Sequence, residues 1–360
     1  MKPLRIGTRG SPLALWQSNH IAQLLAQFHG VPSEIVRIRT AGDRLQSVSV
    51  SQVGAAADGK GLFIKELEDA LLAGTVDLAV HSMKDVPTEI PAGLVFPALT
   101  RREDPRDALI ARGGGTLQTL PQGARVGTSS LRRQAQLRHH RPDLVVVDVR
   151  GNVDTRLRKL ADGEFDAIVL AAAGVNRLGL AGQVTQLLDA DIMLPAVGQG
   201  AIGIETRVSD AETSRLVATL DDADTRACLT AERALLHELH GGCQVPLGAW
   251  ARIVDGRSLG GRSFSSDIGS RPKEGAFAVS ASRSVVDREA PEAIPANALA
   301  STELLIEAAV FSADGREFVR RSERGSPADA DGAGKRLGKS LIEAGADRIL
   351  SLAGRSVGLR

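Results

Sequence analysis

The chain has 360 residues, of which 43% are hydrophobic and 24% charged, and its formal net charge is +1. This length accommodates two or three domains of ordinary size, and the composition is typical of a soluble globular protein. Because basic and acidic residues nearly cancel, the chain has no overall attraction for nucleic acid or for an acidic membrane surface, and any basic site must be local.

Neither a targeting segment nor a metal site is predicted. The first residues, Met1-Lys2-Pro3-Leu4-Arg5, lack the apolar stretch of a secretory signal, and no apolar run approaches the ~18 residues of a membrane span. The only cysteines are Cys228 and Cys243, which form neither a disulfide framework nor a cysteine-based metal site. We therefore expect a cytoplasmic protein that holds no metal and does not enter a membrane.

Alternating short apolar strands and amphipathic helices predict the α/β class. A strand over 4–7 precedes a helix that begins after Ser11, an N-cap followed by Pro12, and runs to about 27. Later segments predict a helix over 61–73, strands over 77–80 and 144–149, a helix over 153–161, a strand over 201–204 and a helix over 225–239.

Two short sequences occur twice in the chain. Arg5-Ile6-Gly7-Thr8 recurs as Arg125-Val126-Gly127-Thr128, and each is followed by a serine and a helical pattern. Gly74-Thr75-Val76-Asp77 and Gly163-Glu164-Phe165-Asp166 each lead into an apolar strand. Short glycine turns also recur by chance in α/β proteins, but the repetition favours two similar α/β lobes that share a cleft.

The expected domain boundaries follow from these repeats and from changes in composition. We expect a first lobe of residues 1–99 with 201–220, a second lobe of 100–200, and a C-terminal domain of 221–360. A loop inserted near 260–300 is rich in Ser, Ala, Arg and Pro. The glycine-rich segment 194–200 forms the expected crossover between the lobes, and the loop 43–61 is an expected lid.

Arginines follow several of the predicted strands: Arg9, Arg132, Arg133, Arg150, Arg156 and Arg177. Ligands of open α/β sheets bind at the carboxyl ends of the strands, and the planar guanidinium donates paired hydrogen bonds to carboxylates. Taken singly, any one of these arginines is better explained as a solvated surface residue. Their shared placement favours a cleft for a ligand with many carboxylates or phosphates, and the scarcity of aromatic residues disfavours nucleic acid.

Two further positions are candidates for chemistry. Asp85 follows the 77–80 strand beside Lys84, where a carboxylate accepts ligand N–H groups and stabilises developing positive charge, although an aspartate before Val86-Pro87 also commonly caps a turn. Cys243 follows two glycines on a turn, which leaves its thiol sterically open. No protease or redox pattern accompanies Cys243, so a reactive or attachment thiol is one interpretation.

Several motifs, taken together and in order, resemble porphobilinogen deaminases over nearly the whole chain. They are Arg5 to Gln17, Gly59 to Phe63, His81 to Pro87, Arg102 to Asp107, Gly127 to Arg133, Arg150 to Val153, Leu194 to Gly203 and Gly241 to Pro246. The resemblance implies two lobes like those of type 2 periplasmic binding proteins around a cleft, plus a smaller α+β C-terminal domain. The 43–59 loop, which is longer than usual, and the 260–300 insertion depart from the family pattern.

The resemblance also implies the chemistry. A dipyrromethane cofactor joined to Cys243 by a thioether primes the head-to-tail addition of four porphobilinogen molecules, with loss of ammonia, and water releases hydroxymethylbilane. Asp85 corresponds to the family's catalytic aspartate, which binds pyrrole N–H groups and steadies the cation. We expect a monomeric enzyme whose partner is this small substrate.

The remaining site residues are carried over by position. The expected cofactor contacts are Lys84, Thr128, Ser129, Ser130, Arg132 and Arg133. The expected substrate contacts are Arg9, Ser11, Gln17, Lys60, Phe63, Arg150, Arg156, Arg177 and Gln199. The alternative to an enzyme is a two-lobed polycarboxylate-binding protein without catalysis, which the Cys243 motif and the missing signal peptide disfavour.

Overall fold

The computed structural model of the chain describes residues 2–40, 64–239, 245–255 and 302–357. Three predicted site residues, Lys60, Phe63 and Cys243, lie outside the described residues. The whole of the expected 43–61 lid and the whole 260–300 insertion lie outside them as well.

The first lobe is built on a five-stranded sheet in the order β2-β1-β3-β10-β4. Its strands are β1 (Leu4–Thr8), β2 (Ser33–Arg37), β3 (Leu78–Ser82), β4 (Leu94–Leu99) and β10 (Ile202–Arg207). Its helices are α1 (Pro12–His29), α2 (Lys65–Leu72) and α6 (Ala211–Ala218). Ile21, Leu25 and Val217 pack on one face of the sheet, and Leu67 and Leu71 pack on the other. Both faces are therefore covered, as the apolar strands require.

The second lobe has a five-stranded sheet in the order β7-β6-β8-β5-β9. Its strands are β5 (Asp107–Ala111), β6 (Arg125–Gly127), β7 (Val145–Val147), β8 (Ala167–Ala171) and β9 (Gln186–Leu188). Its helices are α3 (Leu131–His140), α4 (Val153–Ala161) and α5 (Ala172–Arg177). The strand predicted over 144–149 is shorter in the structure, where β7 covers only Val145–Val147. It lies at the edge of the sheet and pairs only with the three residues of β6.

The two sheets have the same topology. In each sheet the strands at the first three positions are parallel, and the strand at the fourth position is antiparallel to both of its neighbours. The fifth strand therefore runs in the same direction as the first three. The fourth position is taken by β10 in one sheet and by β5 in the other. Two lobes of this kind with a small third domain confirm the expected fold class.

The sequence repeats correspond to the same hydrogen bonds in each lobe. The Asp77 carboxylate accepts from the Arg5 backbone N–H at 2.9 Å, and the Asp166 carboxylate accepts from the Arg125 N–H at 2.8 Å. In both cases the aspartate's own N–H donates to the arginine carbonyl. The aspartate directly before β3 therefore fixes the start of β1 against β3, and the aspartate directly before β8 fixes the start of β6 against β8.

The third domain packs helices on one three-stranded antiparallel sheet. The sheet is β11 (Leu247–Asp255), β12 (Thr302–Phe311) and β13 (Phe318–Gly325), and the helices are α7 (Ala223–Glu238), α8 (Ala330–Glu343) and α9 (Ala346–Val357). The N-cap Asp222 accepts from the Thr225 N–H at 2.8 Å, which explains why α7 begins two residues before the predicted start. Leu235, Ile306 and Leu337 lie in the shared core.

The crossover back to the first lobe requires glycine. Gly198 and Gly200 have φ values of +73° and +92°. The chain leaves the first lobe through the segment between β4 and β5, which is the outgoing crossover. A Cβ at Gly200 would meet the carbonyl oxygen of Glu103 in this segment. The two crossovers therefore approach each other at a distance that only a residue without a side chain permits.

Candidate functional site

A cleft of about 510 Å³ lies between the two lobes at the carboxyl ends of their parallel strands. It is lined by many of the predicted site residues: Arg9, Ser11, Gln17, Lys84, Asp85, Ser129, Arg133, Arg150, Arg156, Arg177 and Gln199. The turns after β1, β3, β6, β7 and β8 carry most of them, because parallel strands present their carboxyl ends at one edge of each sheet.

The cleft is strongly cationic. Six arginine or lysine side chains line it, against two carboxylates, Asp85 and Asp154. Burial lowers the pKa of Arg177 to about 10, and burial together with nearby Arg133 lowers that of Arg156 to about 10. Burial likewise lowers the pKa of Lys84, which also faces Arg133 and Arg156. Cations that repel one another at low exposure form a site suited to a ligand with several anionic groups.

Arg156 and Arg177 are held by backbone carbonyls. The Arg156 Nε donates to the Gly151 carbonyl at 2.9 Å, and the Arg177 Nη2 donates to the Gly200 carbonyl at 2.6 Å. Among the described residues, neither guanidinium forms a salt bridge within 4.0 Å of a carboxylate. Both therefore keep their charge for a ligand while their positions are fixed.

Asp85 lies at the end of a single 3₁₀ turn, Met83–Asp85, that follows β3 directly. The side chain is exposed and lines the cleft. No hydrogen bond of its carboxylate to another described residue is observed. The Asp85 carboxylate thus faces the cleft, and the turn cap, which was the other interpretation of this residue, is not formed within the described part of the chain.

The polar residues around the cleft have two kinds of role. The Ser11 hydroxyl accepts from the Ala14 N–H at 3.3 Å and caps α1, while Gln17 donates to the Ser82 hydroxyl at 2.9 Å. The Ser129 hydroxyl donates to the Val149 carbonyl at 2.9 Å and joins the turns after β6 and β7. These contacts shape the walls of the cleft.

Arg132 and Arg133 are buried and share one carboxylate. Asp107 accepts from Arg132 Nη1 at 2.6 Å and from Arg133 Nη2 at 2.7 Å, and the Gln199 amide donates to it at 3.0 Å. Burial alone would raise the pKa of Asp107, but the two guanidiniums hold it far below its ordinary value. Asp107 was not among the predicted site residues; its place at the end of the Arg102 to Asp107 motif was the available signal.

A second cavity, of about 80 Å³, adjoins the turn that carries Asp85. Lys84, Ser130 and Arg132 line it together with apolar side chains, among them Val245, which is two residues after Cys243 in the sequence. Thr128 is fully buried and accepts from the Ser130 N–H at 3.3 Å. Three of the predicted cofactor residues therefore lie next to the part of the third domain that follows Cys243.

Within the described ranges no cluster of three or more potential metal ligands occurs. No helix in those ranges is both long and apolar enough to cross a bilayer.

Comparisons with known proteins agree on one family. Residues 4–215 match the family model "Porphobilinogen deaminase, dipyromethane cofactor binding domain", and residues 226–260 match "Porphobilinogen deaminase, C-terminal domain". The porphobilinogen deaminase of Syntrophobacter fumaroxidans is 46% identical over 96% of this chain and 96% of its own length. That of Pelobacter propionicus is 43% identical over 99% of this chain and 96% of its own.

Solved structures with lower similarity include a periplasmic substrate-binding protein of an ABC transporter from Coxiella burnetii. It is 14% identical to this chain, with a TM-score of 0.37, and the match covers 60% of this chain and 91% of the transporter protein's chain. A putative methionine-binding lipoprotein from Bacillus subtilis is 12% identical, with a TM-score of 0.38, over 61% of this chain and 90% of its own.

Proposed function

The chain belongs to the porphobilinogen deaminase family, and we propose that the cationic cleft is where it condenses four porphobilinogen molecules into hydroxymethylbilane with release of ammonia. The observation that carries this placement is the excess of six cationic side chains over two carboxylates in one cleft. Each pyrrole ring of the substrate carries an acetate and a propionate, so a growing chain needs such a lining.

The residues present fit the family's dipyrromethane cofactor. Its acid side chains match the donors Lys84, Ser130 and Arg132 around the second cavity, and we assign the thioether to Cys243, which precedes the cavity-lining Val245. When bound, the cofactor supplies the free pyrrole carbon to which the first substrate is added. Arg133 and Ser129, in the adjoining wall of the large cleft, complete the proposed contacts.

Asp85 is the proposed catalytic residue. Loss of ammonia from porphobilinogen leaves a positive charge on the pyrrole, and a carboxylate aimed into the cleft stabilises that charge and accepts the pyrrole N–H. Asp85 is suited to this because its side chain is exposed and lines the cleft. Binding of the substrate's acid groups by the arginines displaces water and strengthens these interactions.

The arginines divide the binding of the lengthening chain. Arg9 lies on the first lobe, whereas Arg150, Arg156 and Arg177 lie on the second. We propose that they bind the substrate's carboxylates together with Ser11, Gln17 and Gln199, and that Lys60 and Phe63 contribute from the expected lid. A full chain presents roughly a dozen carboxylates, so different arginines meet different rings.

A catalytic role and a binding role without chemistry make opposite predictions for one measurement. The intact mass of the purified protein, made in cells that supply porphobilinogen, should exceed the mass of its residues by two linked pyrroles. The protein should also consume added porphobilinogen. An unmodified mass together with unconsumed porphobilinogen would contradict the enzyme and favour a polycarboxylate-binding protein.

We further propose that the protein acts as a monomer in the cytoplasm, with domains at 1–99 plus 201–220, 100–200 and 221–360. No nucleic-acid partner is expected. Binding to DNA that weakens steeply with salt would contradict that expectation, because such dependence reports neutralised phosphates.

A further inference from the structure

Asp107 is the first residue of β5 and is completely buried. Arg133 donates two hydrogen bonds to its Oδ1, from Nε at 2.9 Å and from Nη2 at 2.7 Å. Arg132 Nη1 donates to Oδ2 at 2.6 Å. One carboxylate therefore balances two guanidiniums on the first turn of α3. Both side chains are almost fully buried, so their directions are set by this contact.

The two guanidiniums face different cavities. Arg133 lines the large cleft, while Arg132 lines the small cavity shared with Val245 and Leu247 of the third domain. Each has a second anchor on a backbone carbonyl: Arg132 on Leu194 at 2.6 Å and Arg133 on Val169 at 3.0 Å. Among the described residues, Asp107 is the one group that accepts hydrogen bonds from both arginines.

A third contact connects Asp107 to the crossover. The Gln199 Nε2 donates to Asp107 Oδ1 at 3.0 Å and to the Pro105 carbonyl at 2.6 Å. Both partners are acceptors, so the amide nitrogen must face them. Gln199 lines the large cleft and is followed by Gly200, which accepts from Arg177.

We propose that Asp107 is a positioning residue that aligns Arg132 toward the cofactor cavity and Arg133 and Gln199 toward the substrate cleft, so that both ends of the site depend on one buried carboxylate. The inference rests on the proposed function of the two cavities. Asp107 does not touch the substrate in this arrangement; it acts through the three side chains that hold it.

The charge of Asp107 also affects the pKa of Lys84, which precedes Asp85 in the sequence. Lys84 faces Asp85, Arg133, Asp107 and Arg156, and of these the two carboxylates favour its protonated form. Burial and the two arginines already lower the pKa of Lys84, so removing the charge of Asp107 lowers it further. A purely structural aspartate elsewhere in the fold would not affect this titration.

The test compares Asp107→Asn with a matched control, Asp77→Asn. Asp77 also holds two arginines, Arg5 at 2.7 Å and Arg207 at 3.6 Å, but it precedes β3 at the edge of the sheet opposite the cleft. Both variants are purified with their cofactor, and loading is measured by intact mass. The kcat/KM for porphobilinogen per loaded chain is then recorded against pH.

For Asp107→Asn we expect kcat/KM to fall about 100-fold, since misplacement of a binding group by about 1 Å has that effect. The alkaline limb of the profile should move to lower pH, and fewer chains should carry the cofactor. Asp77→Asn should lower the thermal midpoint and leave kcat/KM and the pH profile unchanged. If folded Asp107→Asn lacks either the fall or the shift, or if Asp77→Asn matches it, the inference is overturned.

If Asp107→Asn does not fold, Asp107→Glu keeps the charge and displaces it by one methylene. The wild-type alkaline limb with a reduced kcat/KM is then expected, and a wild-type kcat/KM would overturn the inference. Failure of the proposed function is a separate result, because the wild-type protein itself would then carry no cofactor mass and consume no porphobilinogen.

Discussion

Arg102 and Glu232 form a bidentate ion pair, with Nη1 donating to Oε1 at 2.7 Å and Nη2 donating to Oε2 at 3.1 Å. The Glu232 side chain is completely buried. The same carboxylate accepts the backbone N–H groups of Gly198 at 2.7 Å and Ala251 at 2.8 Å. Arg102 Nε donates to the Gln199 carbonyl at 2.9 Å. Both crossovers and the third domain therefore meet at one pair of charges.

Replacing Glu232 with Gln should strongly destabilise the fold. It leaves the Arg102 guanidinium buried without a counter-charge, and breaking a buried pair in this way costs about 3–5 kcal/mol. Thermal or urea unfolding should show the loss. The control is Lys65→Ala, which removes an exposed pair with Asp69 and should leave the midpoint unchanged. Equal midpoints for both variants would contradict the role given to Glu232.

Asp85→Asn should abolish most of the turnover and leave the fold intact. The amide retains the size of the side chain but loses the charge that stabilises the cation, and general acid–base or electrostatic groups of this kind contribute roughly 100- to 10,000-fold. The measurement is kcat with circular dichroism as a check of folding. Asp189→Asn, at an exposed carboxylate that pairs with Arg106, is the control. Near-normal product formation by Asp85→Asn would refute the assignment.

Cys243→Ser should yield protein without a stable cofactor adduct. Cys228→Ser is the matched control, because burial and the nearby Glu232 raise the pKa of the Cys228 thiol to about 12 and leave it unreactive. Intact mass should show the dipyrromethane on Cys228→Ser and not on Cys243→Ser. An adduct on the Cys243 variant, or its loss from the Cys228 variant, would overturn the attachment site.

Single arginine substitutions should stop elongation at different stages. Arg9→Lys, Arg156→Lys and Arg177→Lys each weaken bidentate binding while keeping a positive charge at the position. After limiting porphobilinogen, intact masses of the loaded proteins should show different numbers of added pyrroles. The idea would be abandoned if all three variants accumulated the same species.

The KM for porphobilinogen should rise as the pH passes 10. Burial lowers the pKa of Arg156 and Arg177 to about 10, so the cleft loses two cations there while most exposed arginines stay charged. The contribution of these two groups to the free energy of unfolding, in contrast, increases over the same pH range. Above about pH 10 these two groups hold fewer protons in the folded chain than in the unfolded chain, so the destabilisation caused by burying their charges diminishes as the pH rises. A KM that is flat from pH 9 to 11 would contradict the assignment of both arginines.

Much of this arrangement was predictable from the sequence because it depends on local signals. The repeats around Arg5 and Arg125 correspond to equivalent strands, and Ser11-Pro12 marks the start of α1. Asp107 could not be assigned in this way, since its partners are 25, 26 and 92 residues away in the sequence. Which side chains share a buried carboxylate depends on how the sheets close around it, and no spacing encodes that.

The position of β10 also constrains the order in which the two lobes can fold during synthesis. This strand lies between β3 and β4 in the first sheet, yet it is encoded after the whole of the second lobe. On the ribosome, β3 and β4 must therefore wait with unpaired edges while about a hundred further residues emerge. The second lobe has all of its strands before the first can finish, so the half that is translated first is the half that closes last.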